Sequence, residues 1–288
     1  MDNDNTPGTI VLIHGLYLTP RSWELWMKRY ESRGYRVMAP AWPGLDVEVE
    51  ALRRNPTPIA GQSVEEILAH YERIIRGLPM APIIMGHSFG GAFTQVLLDR
   101  GLGAAGVVLE SATVRGVLDL PFSTLKAGWP LLRNPLARRK AIALSAAQFN
   151  YGFTNTFAPA AAARTYERYA IPGSRNVLLT GANANLNPRS ALKINFRNDR
   201  RAPLLFIAGG ADHVIPASVN RHNAQKYAGS KAITSLKEYQ GRSHFTMVQD
   251  GWEELADYAL SWAVENGSTA TNSAQNVGER RVLEGAAR

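Results

Sequence analysis

Apolar residues recur along this chain as short continuous runs that alternate with helical patterns. The runs predict six strands, at Thr9–Ile13, Tyr35–Ala39, Pro82–Gly86, Ala105–Leu109, Pro203–Ala208 and Ala232–Tyr239. A continuous apolar run, as opposed to an alternating one, is typical of a parallel strand that is buried on both faces of a sheet. Most runs are followed by apolar residues at helical spacing. We therefore predict an α/β fold with a doubly wound, mostly parallel six-stranded sheet and right-handed crossovers.

Start signals and apolar faces mark several of the helices. Thr19-Pro20 combines a cap residue with a proline at the first turn, and Ser63 to Glu66 matches a capping box. The proline-rich residues 42–61 between them predict a surface loop. One face of a final amphipathic helix is formed by Trp252, Leu255, Ala256, Ala259, Leu260 and Ala263.

The alternation of strand and helix patterns ends between the fourth and fifth predicted strands. Helical patterns interrupted by proline and glycine replace it, at Phe122–Leu132, Pro135–Leu144 and Pro159–Tyr169. A stretch of about 90 residues is too long for a plain loop, so we predict a helical insertion with its own packing. The expected organisation is a core of residues 1–110 and 202–266, a helical cap insertion of residues 111–201, and a disordered polar tail of residues 267–288.

The predicted insertion is rich in aromatic residues: Phe122, Trp129, Phe149, Tyr151, Phe153 and Phe157. These side chains must bury against something. They can pack the insertion onto the sheet, or some can line an apolar pocket, and both interpretations can hold together. No single aromatic residue is assigned to either role.

The third predicted strand runs directly into a glycine-rich turn that contains Ser88. Gly86, Ser88 and Gly90 fit the G-x-S-x-G pattern of a nucleophile elbow, in which a strained strand-to-helix turn exposes a serine hydroxyl. The flanking glycines follow from this geometry, because a Cβ at either position would strike the adjacent strand or helix. The turn also opens a helix, whose free N–H groups suit a developing oxyanion.

Other candidate catalytic residues also follow predicted strands. His14-Gly15 follows the first strand, Asp212 lies in the turn after the fifth, and His244 lies in the turn after the sixth. The carboxyl ends of parallel strands meet at one edge of a sheet, where ligands bind. A serine hydroxyl needs a base within hydrogen-bond reach and an acid that orients the base, so Ser88, His244 and Asp212 form a candidate triad.

The chain resembles the α/β-hydrolase superfamily over roughly residues 9–264. The resemblance rests on four motifs and on the order serine, acid, histidine; the motifs are HGLY, GHSFGG, GGADHVIP and GRSHF. It implies that Ser88 is the nucleophile, His244 the base and Asp212 the acid. It also implies an oxyanion hole formed by the backbone N–H groups of Leu16 and Phe89. Glu110, directly after the fourth strand, is an alternative acid, because some relatives carry the acid there.

Departures from the superfamily pattern narrow the chemistry. The nucleophile is serine, which argues against dehalogenase or epoxide hydrolase chemistry, and Phe245 stands where the related hydroxynitrile lyases carry a lysine. No antiparallel hairpin precedes the first strand, so six strands are expected. We expect a carboxylic-ester hydrolase of the carboxylesterase or lipase type. Alternatives are a carbon–carbon bond hydrolase or lactonase with the same triad and, in another class, a small-molecule receptor with a vestigial triad.

Composition changes this picture only slightly. The net charge is +8, and residues 111–200 carry 13 Lys or Arg against three acidic residues, a net charge of +10. Such a face could steer anionic substrates or meet a membrane surface or nucleic acid, but the basic residues lack interleaved aromatic residues, so we favour a solvated surface. With no cysteine and no pair of histidines at ligand spacing, we expect no metal and no cofactor.

Partners and location are expectations of the same kind. No run approaches the ~18 apolar residues of a membrane span, so we expect a cytoplasmic protein without integral membrane association. The expected partner is a small, largely apolar acyl substrate and not a nucleic acid. The sequence leaves a monomer and a homodimer equally open.

Overall fold

The strands lie in a large sheet and a small ladder in the computed structural model, which describes residues 8–119, 121–132 and 140–267. In chain order they are β1 (Thr9–Ile13), β2 (Arg36–Met38), β3 (Ile83–His87), β4 (Ala105–Leu109), β5 (Ala141–Ile142), β6 (Gly173–Ser174), β7 (Leu204–Gly209) and β8 (Thr234–Tyr239). The sheet has the order β2-β1-β3-β4-β7-β8, and each neighbouring pair is parallel. The predicted six-stranded parallel sheet is confirmed.

Helices connect the strands and cover both faces of the sheet. They are α1 (Glu24–Glu31), α2 (Val49–Arg54), α3 (Thr57–Ala60), α4 (Val64–Arg76), α5 (Phe89–Asp99), α6 (Phe122–Leu132), α7 (Ala146–Phe153), α8 (Pro159–Tyr169), α9 (Arg175–Ala182), α10 (Ala217–Gln225) and α11 (residues 252–267). Two predicted helix starts are present. The Thr19 hydroxyl caps a short 3₁₀ helix before α1, and the Ser63 hydroxyl caps α4.

The core lies on the four inner strands. β3, β4 and β7 are buried along their whole length, and so is β1 after Thr9, because helices cover both of their faces. The edge strand β8 is only half-buried. In the register, Ile13 is opposite Gly86 and His87 is opposite Leu109, so the carboxyl ends of β1, β3 and β4 lie side by side.

The region between β4 and β7, residues 110–203, is called the β4–β7 segment below. Two of its predicted helices are present as α6 and α8. The prediction of a helix over Pro135–Leu144 is wrong at its described end, because Ala141 and Ile142 pair with Gly173 and Ser174 in an antiparallel ladder. Residues 135–139 lie outside the described residues. Helices α7 and α9 were not predicted.

The prediction of a plain surface loop over residues 42–61 is also wrong. This stretch contains α2 and α3, and its apolar side chains are buried: Trp42, Leu45, Val49, Leu52 and Ile59. Proline and polar residues dominate the composition. The apolar residues are nevertheless spaced so that each short helix turns one face to the core.

The expected tail falls almost entirely outside the described residues. Gly267 is the last described residue and ends α11, while residues 268–288 and residues 1–7 are not described. Among the helices of the described chain, none combines the length and the apolar character needed to cross a membrane.

Candidate active site

Ser88 stands at the junction of β3 and α5 in a backbone conformation that side-chain-bearing residues rarely adopt. Its φ is 55° and its ψ is −119°. Hydrogen bonds stabilise this strained backbone conformation. The Ser88 N–H donates to Leu109 O (3.0 Å), and Ser88 O accepts from the N–H groups of Gly91 and Ala112 (2.9 Å each). A conformation of this kind persists only where its surroundings over-determine it, and it is common at functional sites.

The glycines around Ser88 are required by backbone contacts. A Cβ on Gly86 would lie 2.1 Å from the carbonyl oxygen of Gly90, and a Cβ on Gly90 would lie 2.1 Å from that of Ile13. The strand, the helix and β1 therefore approach so closely that no side chain fits between them. This close approach agrees with the reason for the two glycines inferred from the sequence.

Asp212 and His244 form a buried pair at the same edge of the sheet. His244 Nδ1 lies 2.7 Å from Asp212 Oδ2, and both side chains are fully buried. The other carboxylate oxygen, Oδ1, accepts from the N–H groups of Val214 (2.7 Å) and Ile215 (2.9 Å). With one oxygen held by the backbone, the other fixes the imidazole so that Nδ1 carries the proton. His244 Nε2 is buried and has no hydrogen-bond partner among the described residues.

The neighbour of Ser88 also holds His244. His87 Nε2 donates to the His244 carbonyl oxygen at 2.7 Å, and the centroids of the two rings lie 4.9 Å apart. Burial, and next the nearby His244, lower the pKa of His87 well below its ordinary value, so His87 is neutral. The backbone of the candidate base is therefore tied to the strand end that leads into the elbow.

His14 has a structural position beside the candidate site and is held by hydrogen bonds to the backbone. The Trp42 N–H donates to His14 Nε2 (3.2 Å), and His14 Nδ1 lies 3.0 Å from Gly15 O. Burial lowers the pKa of His14 to about 4, so its ring is neutral at pH 7. The turn that follows passes close to the elbow, since a Cβ on Gly15 would lie 2.9 Å from Ser88 Cβ.

Glu110, the alternative acid, forms no hydrogen bond with His244. It is fully buried at the end of β4, and its carboxylate makes no hydrogen bond to the imidazole. Burial, and next the charge of Asp212, raise the pKa of Glu110 well above its ordinary value. Burial and the nearby negative charge both disfavour the charged form of Glu110.

The residues predicted as oxyanion donors lie with Ser88 around one cavity of about 100 Å³. Among the described residues, no acceptor takes a hydrogen bond from the N–H of Leu16 or Phe89. Phe89 begins α5, where N–H groups have no partner within the helix. Two unused backbone donors therefore lie beside the serine.

The β4–β7 segment supplies eight of the fourteen residues that line the cavity. Its contributions are Ala112, Thr124, Ala127, Leu144, Gln148, Gly152, Phe153 and Leu178. Of the aromatic residues singled out from the sequence, Phe153 lines this cavity, whereas Phe149 stacks behind it at 4.5 Å between centroids. The small residues Ala127 and Gly152 gave no sequence signal, because what matters there is the space that they leave.

A larger cavity of about 410 Å³ lies between α8 and residues 248–250, and none of the five predicted site residues lines it. Its lining includes Arg164 and Arg168, and Arg168 is paired with Glu24. Metal ligands are not grouped either: among the residues described, no set of three His, Asp or Glu side chains could hold a metal ion.

The sequence matches the model of the alpha/beta hydrolase family over residues 10–258. No curated protein sequence matches the chain. Solved structures do: the monoacylglycerol lipase of Paleococcus ferrophilus has a TM-score of 0.62 at 22% identity and covers 91% of this chain and 96% of its own.

Two further solved structures are similar. A pyrethroid hydrolase from Sphingobium faniae JZ-2 has a TM-score of 0.62 at 19% identity, over 90% of this chain and 98% of its own. An extracellular alpha/beta-hydrolase from a Paenibacillus species has a TM-score of 0.63 at 20% identity, over 90% and 99%. At these identities the similarity shows a shared fold.

Proposed function

Because the chain belongs to the alpha/beta hydrolase family, we propose that it is a serine hydrolase that cleaves carboxylic esters, with the β4–β7 segment as a cap over its acyl site. The observation that carries the proposal is the buried Asp212–His244 pair, whose imidazole leaves Nε2 without a partner. This pair lies at the sheet edge where the strained Ser88 lines an apolar cavity. A lipase and an esterase are among the proteins of similar fold.

In the proposed reaction, Ser88 Oγ attacks the acyl carbon while its proton passes to His244 Nε2. Asp212 Oδ2, which lies 2.7 Å from His244 Nδ1, accepts the Nδ1–H hydrogen bond and stabilises the imidazolium that forms. His244 then gives the proton to the departing alkoxide, which leaves as an alcohol. A water molecule, deprotonated by the same nitrogen, hydrolyses the acyl-enzyme and restores Ser88.

The negative charge of the tetrahedral intermediate falls on the former carbonyl oxygen. The N–H groups of Leu16 and Phe89 are the proposed donors, since both are unused and both residues line the cavity of Ser88. One donor of this kind typically contributes about 2.7–4 kcal/mol to the transition state. Both belong to backbone held by close contacts, so they need no reorganisation during the reaction.

Asp212 is the proposed acid in preference to Glu110. Of the two acids, only Asp212 forms a hydrogen bond with the imidazole, and its second oxygen accepts from two backbone N–H groups. Burial, and next the charge of Asp212, raise the pKa of Glu110 well above its ordinary value, which disfavours the charged form that would stabilise an imidazolium.

The test is ester hydrolysis by the Ser88→Ala variant. We expect kcat for para-nitrophenyl butanoate to fall by about 10⁶-fold, because the nucleophile is lost. The control is Ser218→Ala, which changes an exposed serine on α10 and should keep full activity. Full activity in Ser88→Ala would exclude Ser88 as the nucleophile. A single turnover by the unmodified protein, followed by tight product binding, would favour a receptor instead.

A further inference from the structure

A second cavity, called the outer cavity below, lies next to the one that contains Ser88. Its volume is about 320 Å³, against about 100 Å³ for the inner one. The two cavities share five lining residues: Phe89, Ala112, Thr124, Leu178 and Ile215. They therefore lie on opposite sides of one wall, and Phe89 of that wall is the neighbour of the nucleophile.

The wall is built around the Phe89 ring. Gly181, on α9, lines only the outer cavity, and a Cβ there would lie 2.8 Å from Phe89 Cζ. The ring tip thus occupies the space left by the missing side chain. A side chain rotates more easily than a backbone moves, so this wall can shift to connect the cavities.

The outer cavity offers an apolar surface. Its lining includes Val117, Leu118, Leu125, Leu186 and Val219, none of which lines the inner cavity. Two polar residues in it are already used: Asp119 Oδ2 lies 2.6 Å from His222 Nδ1, and the Asn185 amide binds Gly116 N and Val117 O. Asp119 is its one charged residue within the described lining.

The far end of the outer cavity faces solvent. Leu118 is 74% exposed, Leu186 is 81% exposed and Leu125 is 42% exposed, although all three are large and apolar. Exposed apolar side chains grouped in this way mark binding grooves more often than ordinary surface. A substrate chain that started at Ser88 and passed Phe89 would cover these three leucine side chains.

We propose that the outer cavity is a subsite for an extended apolar chain of the substrate. This rests on the proposed function, because it requires the reacting ester to lie at Ser88. The inner cavity holds the ester group and the first carbons, and the outer cavity takes the remaining methylene groups. The substrate class is then an ester with a linear aliphatic chain of medium length or longer.

The experiment blocks the outer cavity and leaves the inner one unchanged. Ala182 lines only the outer cavity and is exposed at the end of α9, so Ala182→Trp should fold and fill space there. With para-nitrophenyl esters from acetate to decanoate, we expect kcat/KM of the unmodified protein to rise about fourfold per methylene. In Ala182→Trp, kcat/KM for decanoate should fall at least tenfold, and that for acetate should stay within twofold. Ala182→Ser is the matched control.

The subsite would be overturned if Ala182→Trp and the unmodified protein showed equal chain-length dependence both in this acyl series and in the alkyl acetate series described next. Should Ala182→Trp fail to fold, Leu186→Trp at an exposed position of the same lining takes its place. A parallel series of alkyl acetates shows whether the alcohol or the acyl chain occupies the outer cavity: the chain-length dependence should be lost in only one series.

A binding measurement separates this proposal from the proposed function. Decanol binding to Ser88→Ala, followed by tryptophan fluorescence, does not depend on turnover. A second substitution that blocks the outer cavity should weaken decanol binding at least tenfold. Ala182→Phe is used here in place of Ala182→Trp, because an added tryptophan would change the fluorescence signal. If the blocking substitution abolished decanol binding and the unmodified protein hydrolysed no ester, the subsite would be upheld and the esterase rejected. Unchanged decanol binding would reject the subsite in either case.

Discussion

The sheet edge that carries Ser88 and the β4–β7 segment that lines the cavity beside it are built from different kinds of contact. At the edge, backbone meets backbone: Ser88 N binds Leu109 O, and Gly90 leaves no room against Ile13 O. In the segment, side chains meet side chains, as where Phe149 stacks on Phe153. The edge is therefore suited to fix reacting atoms. The segment can change shape at lower cost and is suited to select what binds.

After Ser88→Ala, the largest loss of activity should come from Asp212→Asn. We expect kcat to fall by about 10⁴-fold, because the amide cannot stabilise the imidazolium and favours the wrong tautomer of His244. Ester hydrolysis at pH 7 measures it. Glu110→Gln is the matched control, since it replaces a carboxyl that forms no hydrogen bond with His244, and it should keep activity within tenfold. A greater loss in Glu110→Gln than in Asp212→Asn would move the acid to Glu110.

Two glycine substitutions test the difference between the regions directly. Gly90→Ala places a methyl group 2.1 Å from a backbone oxygen and should lower the free energy of unfolding by about 3 kcal/mol or more. Gly181→Ala places one 2.8 Å from the end of the Phe89 ring, which can rotate, and alanine is also the better helix former. We expect a change within about 1 kcal/mol in urea unfolding. Equal losses would show that the segment is as rigid as the edge.

A further test concerns the pH dependence of stability. Burial lowers the pKa of His14 to about 4 from 6.5, so between these values the unfolded chain binds more protons than the folded one. Stability is therefore complete above pH 6.5 and should fall by about 1–3 kcal/mol as the pH drops to 4. His14→Gln should make this fall shallower in urea titrations. If the free energy of unfolding fell equally steeply with pH in His14→Gln, His14 would not be the cause of the fall.

The sequence predicted the edge better than the segment. Thr9–Ile13 and Ala105–Leu109 were predicted with the bounds observed, since each is one buried apolar run that local residues specify. The turns of Ser88, Asp212 and His244 follow strands, so parallel topology alone places them at one edge. The sequence already favoured Asp212 over Glu110 as the candidate acid, although both follow strands that end there, and the hydrogen bond between Asp212 and His244 supports that preference.

The segment was predicted less well for physical reasons. The two-residue strands β5 and β6 are too short to show any period, and they pair over a separation of about 30 residues. Helices α2 and α3, outside the segment, were also missed, because they are short and lie in a proline-rich stretch that is typical of a loop. The cavity walls depend on Gly152 and Gly181, whose role is to leave space for Val214 and Phe89. Such a role appears only when the neighbour in space is known.

The central claim is that Ser88 is the nucleophile, and covalent labelling tests it most directly. The protein is treated with a fluorophosphonate, digested and mapped by mass spectrometry. We predict one phosphonyl group, on the Ser88 hydroxyl, with ester hydrolysis lost in proportion to labelling. A label on another residue with Ser88 unmodified, or ester hydrolysis that survives complete labelling of Ser88, would contradict the account.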